Sequence, residues 1–131
     1  LPELVNVKDY IFINMFKFIA ALAAGALLSI GSAVQAASFS ALASWYGPGF
    51  HGRTTANGER YDMYGLTTAH KSLPFGTMVR VTNPRTRQSV IVRVNDRGPF
   101  IGPRAFDLSR GAADRVGLTG SGVATLQFEI L

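Results

Sequence analysis

Cysteine is absent from the 131-residue chain. Its absence excludes a disulfide framework, a thiolate nucleophile and a lipid-modified N-terminal cysteine. The two histidines, His51 and His70, are nineteen positions apart and form no H-x-x-x-H pair, so a zinc site would need carboxylates from distant loops. A serine nucleophile is equally unsupported, because no G-x-S-x-G elbow occurs. We therefore expect no metal and no cofactor.

The chain also lacks a long hydrophobic run. After Lys17, residues 18–30 carry no charge, but these thirteen residues fall short of the ~20 that a bilayer-spanning helix needs. Small residues follow and end at Ala36. This pattern predicts a signal peptide over residues 15–36, with residues 1–14 as an upstream extension of the reading frame and a retained membrane anchor as the alternative. One domain would then occupy residues 37–131.

Acidic residues are scarce in that domain. Residues 37–131 contain ten Arg and one Lys against six acidic residues, so the whole surplus of +5 lies there. A basic exported protein suggests an anionic partner, and in a bacterial envelope that partner is peptidoglycan with its acidic attachments. The basic residues are scattered rather than clustered, and export separates the chain from nucleic acid, so we expect no nucleic-acid partner.

Five apolar or alternating segments, separated by Gly, Pro and Asn, predict an all-β core. The clearest strands cover residues 40–46, 78–83, 89–95 and 123–130, with a hairpin loop over 84–88. One short helix is predicted over residues 107–117, with Ser109 or Asp107 as its N-cap and Gly117 as its end. Residues 47–52 match G-x-G-x-x-G only formally, because no helix pattern follows, and we interpret them as a loop whose Phe50 and His51 could line a cleft.

Carboxylates remain as the candidates for chemistry. Glu59 follows the tight-turn signal Asn57-Gly58, and Asp96 directly follows the best strand, although each could simply cap its turn. His70 and four aromatic residues lie in the same loops, namely Trp45, Tyr46, Phe50 and Tyr61. Glycosidic bond cleavage needs a carboxylic acid to protonate the leaving oxygen and aromatic faces to hold sugar rings.

At these residues the chain resembles the rare lipoprotein A family of septal-ring lytic transglycosylases. The resemblance covers residues 43–131 and rests on several ordered motifs: Ala43-Ser44-Trp45-Tyr46-Gly47, Thr55-Ala56-Asn57-Gly58-Glu59, Thr68-Ala69-His70, Leu73-Pro74-Phe75-Gly76-Thr77, Val94-Asn95-Asp96-Arg97-Gly98-Pro99-Phe100 and Asp107-Leu108-Ser109.

The resemblance implies a six-stranded double-psi β-barrel with one or two short helices, and an enzyme that cleaves peptidoglycan glycan strands. Such enzymes prefer strands stripped of stem peptides and leave 1,6-anhydro-muramyl ends. Asp96 would act as the acid and base, while Glu59 and His70 would orient the sugar or adjust the acidity of Asp96. Trp45, Tyr46, Phe50, Tyr61 and Arg97 would bind the glycan.

The chain departs from the family pattern because it has no lipid-bearing cysteine and no C-terminal glycan-binding domain. We expect a soluble monomer, periplasmic or secreted, without a stable membrane anchor after cleavage. Two other functions stay open, since fold does not settle function. One is an expansin-like module that binds wall polysaccharide without cutting it, and the other is a structural wall protein.

We expect the exported protein to begin at Ala37, because the leader has the charge, apolar core and small-residue exit of a cleaved signal. N-terminal sequencing of protein exported by a bacterial host measures the first residue. A sequence that starts before Ala33 would contradict cleavage and favour the retained anchor.

Overall fold

The computed structural model describes residues 37–131, and the predicted signal peptide and upstream extension lie outside these described residues. Within this range the chain forms six strands and one helix. In chain order they are β1 (Ser38–Trp45), β2 (Thr67–His70), β3 (Met78–Asn83), β4 (Gln88–Asp96), β5 (Phe106–Leu108), α1 (Arg110–Arg115) and β6 (Val123–Ile130). No helix in residues 37–131 has the length and apolarity needed to cross a membrane.

The strands close into a barrel in the order β1-β5-β2-β4-β3-β6. Two of the pairs are parallel, β1 with β5 and β2 with β4, and the other pairs are antiparallel. Strand β2 therefore lies between β4 and β5, although β3 separates it from β4 along the chain. The closed six-stranded all-β barrel implied by the resemblance is confirmed.

Alternation along the strands fills the barrel interior, because successive side chains of a strand point to opposite faces. The rings of Phe106 and Phe128 are both fully buried and stack with their centroids 3.9 Å apart and an 8° angle between their planes. The alternating valines of β3 and β4 are also buried, namely Val79, Val81, Val90, Val92 and Val94.

The segment predicted as a helix over residues 107–117 begins instead as strand β5. Phe106 and Leu108 both point into the core and are fully buried, and the intervening Asp107 pairs with β1 and β2. Asp107 is therefore not the helix cap. Ser109 is, since its Oγ accepts a hydrogen bond from Ala112 N at 3.2 Å. The pairing partners of β5 come from distant parts of the chain, so the local pattern alone favoured a longer helix.

Helix α1 lies directly against the loop that precedes β2. Gly111 N donates to Met63 O at 2.8 Å, and a Cβ on Gly111 would lie 2.8 Å from Tyr64 O. Only glycine permits this close approach, which fixes the start of α1 against residues 62–65.

We expect Phe106→Ala to lower the free energy of unfolding by about 3–5 kcal/mol, because it leaves a cavity beside Phe128 at the barrel centre. Urea unfolding of the exported protein measures the change. Ile91→Ala is the matched control on β4, since Ile91 is 40% exposed and its loss should cost about 1 kcal/mol or less. Equal losses for the two variants would contradict the assignment of Phe106 to the centre of the core.

Candidate active site

Asp96, the last residue of β4, is the point where three segments of the chain meet. Its Oδ2 accepts a hydrogen bond from the Tyr46 hydroxyl at 2.5 Å. Its Oδ1 accepts from two main-chain amides, Ala56 N at 2.8 Å and Arg97 N at 2.9 Å. The half-buried carboxylate is thus held by the end of β1, by the β1–β2 loop and by the residue after β4.

A second carboxylate, that of Asp107, lies in the same row of the barrel. Ala69 of β2 is the register partner of Asp96 on β4 and also of Asp107 on β5. Residues in register across neighbouring strands share a face of the sheet, so the two acids flank one small side chain. The sequence reasoning missed Asp107 because it interpreted the residue as a possible helix cap.

Two side chains hold Asp107 in place. The Ser44 hydroxyl donates to Asp107 Oδ1 at 2.9 Å, and Arg104 Nη1 donates to Ser44 Oγ at 2.7 Å. Burial raises the pKa of Asp107, and the charge of Asp96 raises it further, while the Ser44 hydrogen bond and the Arg104 charge oppose the shift. Two carboxylates in different environments are the usual starting point for acid–base chemistry.

An aromatic cluster surrounds the Tyr46 side chain beside Asp96. The ring of Tyr46 lies 4.5 Å from that of Tyr61 and 5.8 Å from that of Phe50, centroid to centroid. Phe50 is 42% exposed and has the guanidinium of Arg53 5.3 Å from its ring centroid. Burial, together with the hydrogen bond to Asp96, raises the pKa of Tyr46, so its phenol stays protonated and donates.

A cavity of about 330 Å³ opens next to this cluster. It lies beside the Gly47-Pro48-Gly49 turn, and its wall also includes Trp45, Tyr46, His51, Tyr61, Met63 and Arg110. His51 is fixed there because its Nδ1 accepts a hydrogen bond from Met63 N at 3.1 Å. The volume lies within the range of small-ligand sites.

Glu59 forms a two-point ion pair instead of facing the cleft as a free acid. Its two carboxylate oxygens accept from Arg93 Nη1 at 2.6 Å and from Arg93 Nη2 at 2.8 Å, and Asn57 Nδ2 donates at 2.8 Å. These hydrogen bonds lower the pKa of Glu59 to about 2. The carboxylate is therefore ionised at neutral pH and ties the β1–β2 loop to β4.

His70, the last residue of β2, is buried with only 3% of its surface exposed. Its Nδ1 accepts hydrogen bonds from Ser72 N at 3.0 Å and Leu73 N at 2.9 Å, so the proton of the neutral ring is on Nε2. Burial, reinforced by the nearby charges of Arg97 and Lys71, lowers the pKa of His70 to about 4. The ring therefore closes the turn after β2 as a neutral group.

Arg97 holds the opposite side of the site. Its main-chain N–H binds Asp96, as described above, while Nη1 donates to Leu73 O at 2.8 Å and to His70 O at 3.3 Å. The guanidinium lies 3.9 Å from the centroid of the exposed Phe75 ring. Arg97 thus connects the turn after β2 to Asp96.

Of the residues predicted from the sequence, Asp96 and Tyr46 touch each other, and Trp45, Phe50 and Tyr61 adjoin Tyr46 in sequence or in ring contact. The remaining three, Glu59, His70 and Arg97, are bound to the loops around Asp96. Residues 37–131 hold no cluster of three His, Asp or Glu side chains suited to a metal ion. The arrangement places a half-buried carboxylate beside aromatic rings.

Comparisons with solved structures identify the barrel type. The apo expansin of Clavibacter michiganensis superposes with a TM-score of 0.58 at 22% identity, over 72% of this chain and 50% of that one. The Streptomyces papain inhibitor superposes with a TM-score of 0.58 at 18% identity, over 72% and 94%. At these identities the likeness concerns the fold alone.

Curated relatives share a much higher sequence identity with this chain than these solved structures do. A probable endolytic peptidoglycan transglycosylase RlpA of Synechocystis sp. is 61% identical over 90 residues, which are 69% of this chain and 28% of the relative. The endolytic peptidoglycan transglycosylase RlpA of Pseudomonas aeruginosa (strain UCBPP-PA14) is 58% identical over 87 residues, 66% and 26%. The chain thus spans about a quarter of the length of these curated relatives. A double-psi β-barrel family model described as lytic transglycolase matches residues 38–128. Since this match covers more than half of the chain, the protein belongs to the lytic transglycolase family of double-psi β-barrels.

Proposed function

We propose that this protein cleaves the glycan strands of peptidoglycan as an endolytic lytic transglycosylase. The observation that carries the proposal is the Asp96 carboxylate, held by one phenol and two main-chain amides at the edge of an aromatic-lined cleft. Membership of the lytic transglycolase family supports it, as do relatives named for this activity. The substrate would be strands without stem peptides, and the products would carry 1,6-anhydro-muramyl ends.

Asp96 transfers both protons of the reaction. In the first step it protonates the glycosidic oxygen, the bond from the muramyl C1 to that oxygen breaks, and an oxocarbenium-like state forms. In the second step the muramyl 6-hydroxyl attacks C1, the C1–O6 bond forms, and Asp96 takes back the hydroxyl proton. No water nucleophile is needed, because the sugar supplies its own nucleophile.

Tyr46 and the two main-chain amides keep the Asp96 carboxylate in one orientation. A carboxylate held in the reactive orientation lowers the entropic cost of reaching the transition state, which is the usual advantage of positioned catalytic groups. The protonated phenol of Tyr46 donates to Oδ2 of Asp96 in this orientation.

Glu59, His70 and Asp107 act as positioning residues in this mechanism. Glu59 is an anion bound to Arg93, and the loop it secures also supplies the Ala56 amide to Asp96. His70 is neutral and closes the turn that Arg97 holds. Asp107 sets the electrostatic environment of the cleft from the other side of Ala69.

Such a substrate lies outside the cytoplasm, so the protein would work in the periplasm or as a secreted protein. Its partner would be the peptidoglycan glycan, without nucleic acid and without a stable membrane anchor after signal cleavage. We propose that it works as a monomer, because the barrel in residues 37–131 carries its own carboxylates and aromatic wall.

The alternative is an expansin-like module that grips wall polysaccharide without cutting it. The fold likeness to an expansin and the exposed aromatic rings favour binding of this kind. Mass spectrometry of fragments released from purified peptidoglycan separates the functions. Anhydro ends support the transglycosylase, hydrated reducing ends indicate a hydrolase, and no release indicates a binding module.

We expect Asp96→Asn to lower the rate of glycan cleavage by about 10²–10⁴-fold, because the amide keeps the size of Asp but cannot carry the proton. The anhydro-ended fragments released per folded molecule measure this rate. Asp107→Asn is the matched control, the same change on the other side of Ala69, and should lower the rate far less. A larger loss from Asp107→Asn would assign proton transfer to Asp107. If Asp96→Asn unfolds much of the protein but leaves the activity per folded molecule unchanged, Asp96 is a turn cap instead.

We expect Glu59→Gln to destabilise the protein slightly at neutral pH, because it removes the ion pair between Glu59 and Arg93, whose side chains are 42% and 37% exposed. The pKa of Glu59 is about 2 in the folded protein against an ordinary value of 4.5. The stabilisation is therefore complete above pH 4.5 and is lost as the pH falls through 2.

Urea unfolding of wild type and Glu59→Gln between pH 2 and pH 7 measures this difference, which should shrink as the pH falls. Glu129→Gln controls for the loss of an acid from an exposed pair, since Glu129 meets Arg80 at 3.0 Å on strands β6 and β3. Cleavage should weaken in Glu59→Gln and stay unchanged in Glu129→Gln. A stability difference that is constant across this pH range would contradict the ion-pair assignment.

A further inference from the structure

The wall of the cavity beside Tyr46 includes an arginine, Arg110, whose charged group makes only one weak contact with the described part of the protein. Within residues 37–131 the Arg110 guanidinium donates no hydrogen bond, and its ion pair with Asp114 is long, with Nε 4.0 Å from Oδ2. Both side chains of that pair are about half exposed, 52% and 55%. An exposed pair of this kind contributes little to stability, so Arg110 is available to a ligand.

Three other arginines around the cleft are committed to the protein. Arg93 binds Glu59 at two points, Arg97 binds main-chain carbonyls, and Arg104 binds the Ser44 hydroxyl. The Arg110 main-chain N–H is also committed, since it donates to the Tyr61 hydroxyl at 3.2 Å. The Arg110 backbone is thus fixed at the cavity wall while its charged head is not.

The cavity has the shape and chemistry of a site for one sugar ring. Trp45, Tyr46 and Tyr61 give it an aromatic wall, on which the C–H faces of sugars pack. Tyr46 connects the cavity to the proposed catalytic carboxylate, since it lines the cavity and its hydroxyl binds Asp96. A ring in the cavity therefore lies next to the place where the proton is transferred.

We propose that this cavity binds the muramyl residue whose C1 reacts, and that Arg110 pairs with the free carboxylate of its lactyl group. The proposal rests on the proposed function, in which the sugar beside Asp96 supplies its own 6-hydroxyl and must be muramyl. The lactyl ether is attached at C3, two ring positions from C1, and so reaches the cavity wall away from Asp96. A guanidinium binds a carboxylate through parallel N–H donors.

This pairing provides a physical basis for selecting strands without stem peptides. A stem peptide is joined to the lactyl group through an amide, which removes the carboxylate charge that Arg110 would bind. Stem peptides carry carboxylates of their own, farther from the sugar ring, and these are an alternative partner for the Arg110 guanidinium. The two sources are separated by comparing stripped and peptide-bearing glycan.

Helix α1 supplies a matched control for the test. Arg115 is an exposed residue in the last turn of the same helix and does not line the cavity. Arg110→Gln and Arg115→Gln therefore change the net charge equally, and they differ in whether the lost cation lines the cavity. Thermal unfolding of both variants checks that each is folded.

We expect Arg110→Gln to raise KM for stripped glycan about tenfold or more, with kcat nearly unchanged, because a charge-assisted hydrogen bond is lost from binding. Arg110→Lys should recover part of the loss. On peptide-bearing glycan Arg110→Gln should change KM little, so the preference for stripped strands should fall. Arg115→Gln should leave both KM values at the wild-type level.

Three results would overturn the proposal. Equal losses of Arg110→Gln on the two glycans would make Arg110 a structural residue. A larger loss on peptide-bearing glycan would assign the bound carboxylate to the stem peptide. Equal effects of Arg110→Gln and Arg115→Gln would show that no specific site exists at Arg110. Calorimetric titration with a stripped muramyl tetrasaccharide tests binding independently of cleavage. If the wild type binds it more tightly than Arg110→Gln but releases no anhydro product, the proposed activity fails while the subsite stands.

Discussion

The pairing of β2 between β4 and β5 is the constraint on which the site depends. Strand β2 is parallel to β4 and antiparallel to β5, and its Ala69 is in register with an aspartate on each side. The small side chain of Ala69 leaves space between Asp96 and Asp107 in one row of the barrel. Behind this row the rings of Phe106 and Phe128 stack in the core of the barrel.

Around that row, the protein fixes the protonation state of its other titratable groups. Burial keeps Tyr46 protonated and lowers the pKa of His70 to about 4, so that ring stays neutral at pH 7. The Arg93 hydrogen bonds hold Glu59 as an anion down to a pH of about 2. At neutral pH Tyr46 and His70 are therefore neutral and Glu59 is an anion, and the proposed mechanism leaves proton transfer to Asp96.

Three of the ten arginines in residues 37–131 help to build the site. Arg93, Arg97 and Arg104 each neutralise or fix a group next to the acids, which explains why a basic protein carries so many arginines close to its carboxylates. Arg110 lies on the wall of the adjoining cavity with its guanidinium unbound by hydrogen bonds in the described chain. A substrate carboxylate would complete the pairing that the fold leaves open.

The sequence by itself determined the features that depend on near neighbours. The valine alternation fixed the inward faces of β3 and β4, and Asn57-Gly58 fixed a tight turn in which Gly58 has a φ of +93°. The ordered motifs identified the barrel and the aspartate at the end of β4. The valine and turn signals lie within a few residues of the features they predict, whereas the resemblance that implied the barrel rests on motifs spread over residues 43–109.

Only the tertiary structure decided the features that depend on distant partners. Strand β5 has three residues and too little local signal, and it becomes a strand because β1 and β2 pair with it on either side. Likewise, nothing near Glu59 in the sequence indicates Arg93, and nothing near Arg110 indicates the cavity beside Tyr46. A spacing along the chain cannot reveal which residues a barrel brings together, because closure pairs strands whose order in space differs from their order in sequence.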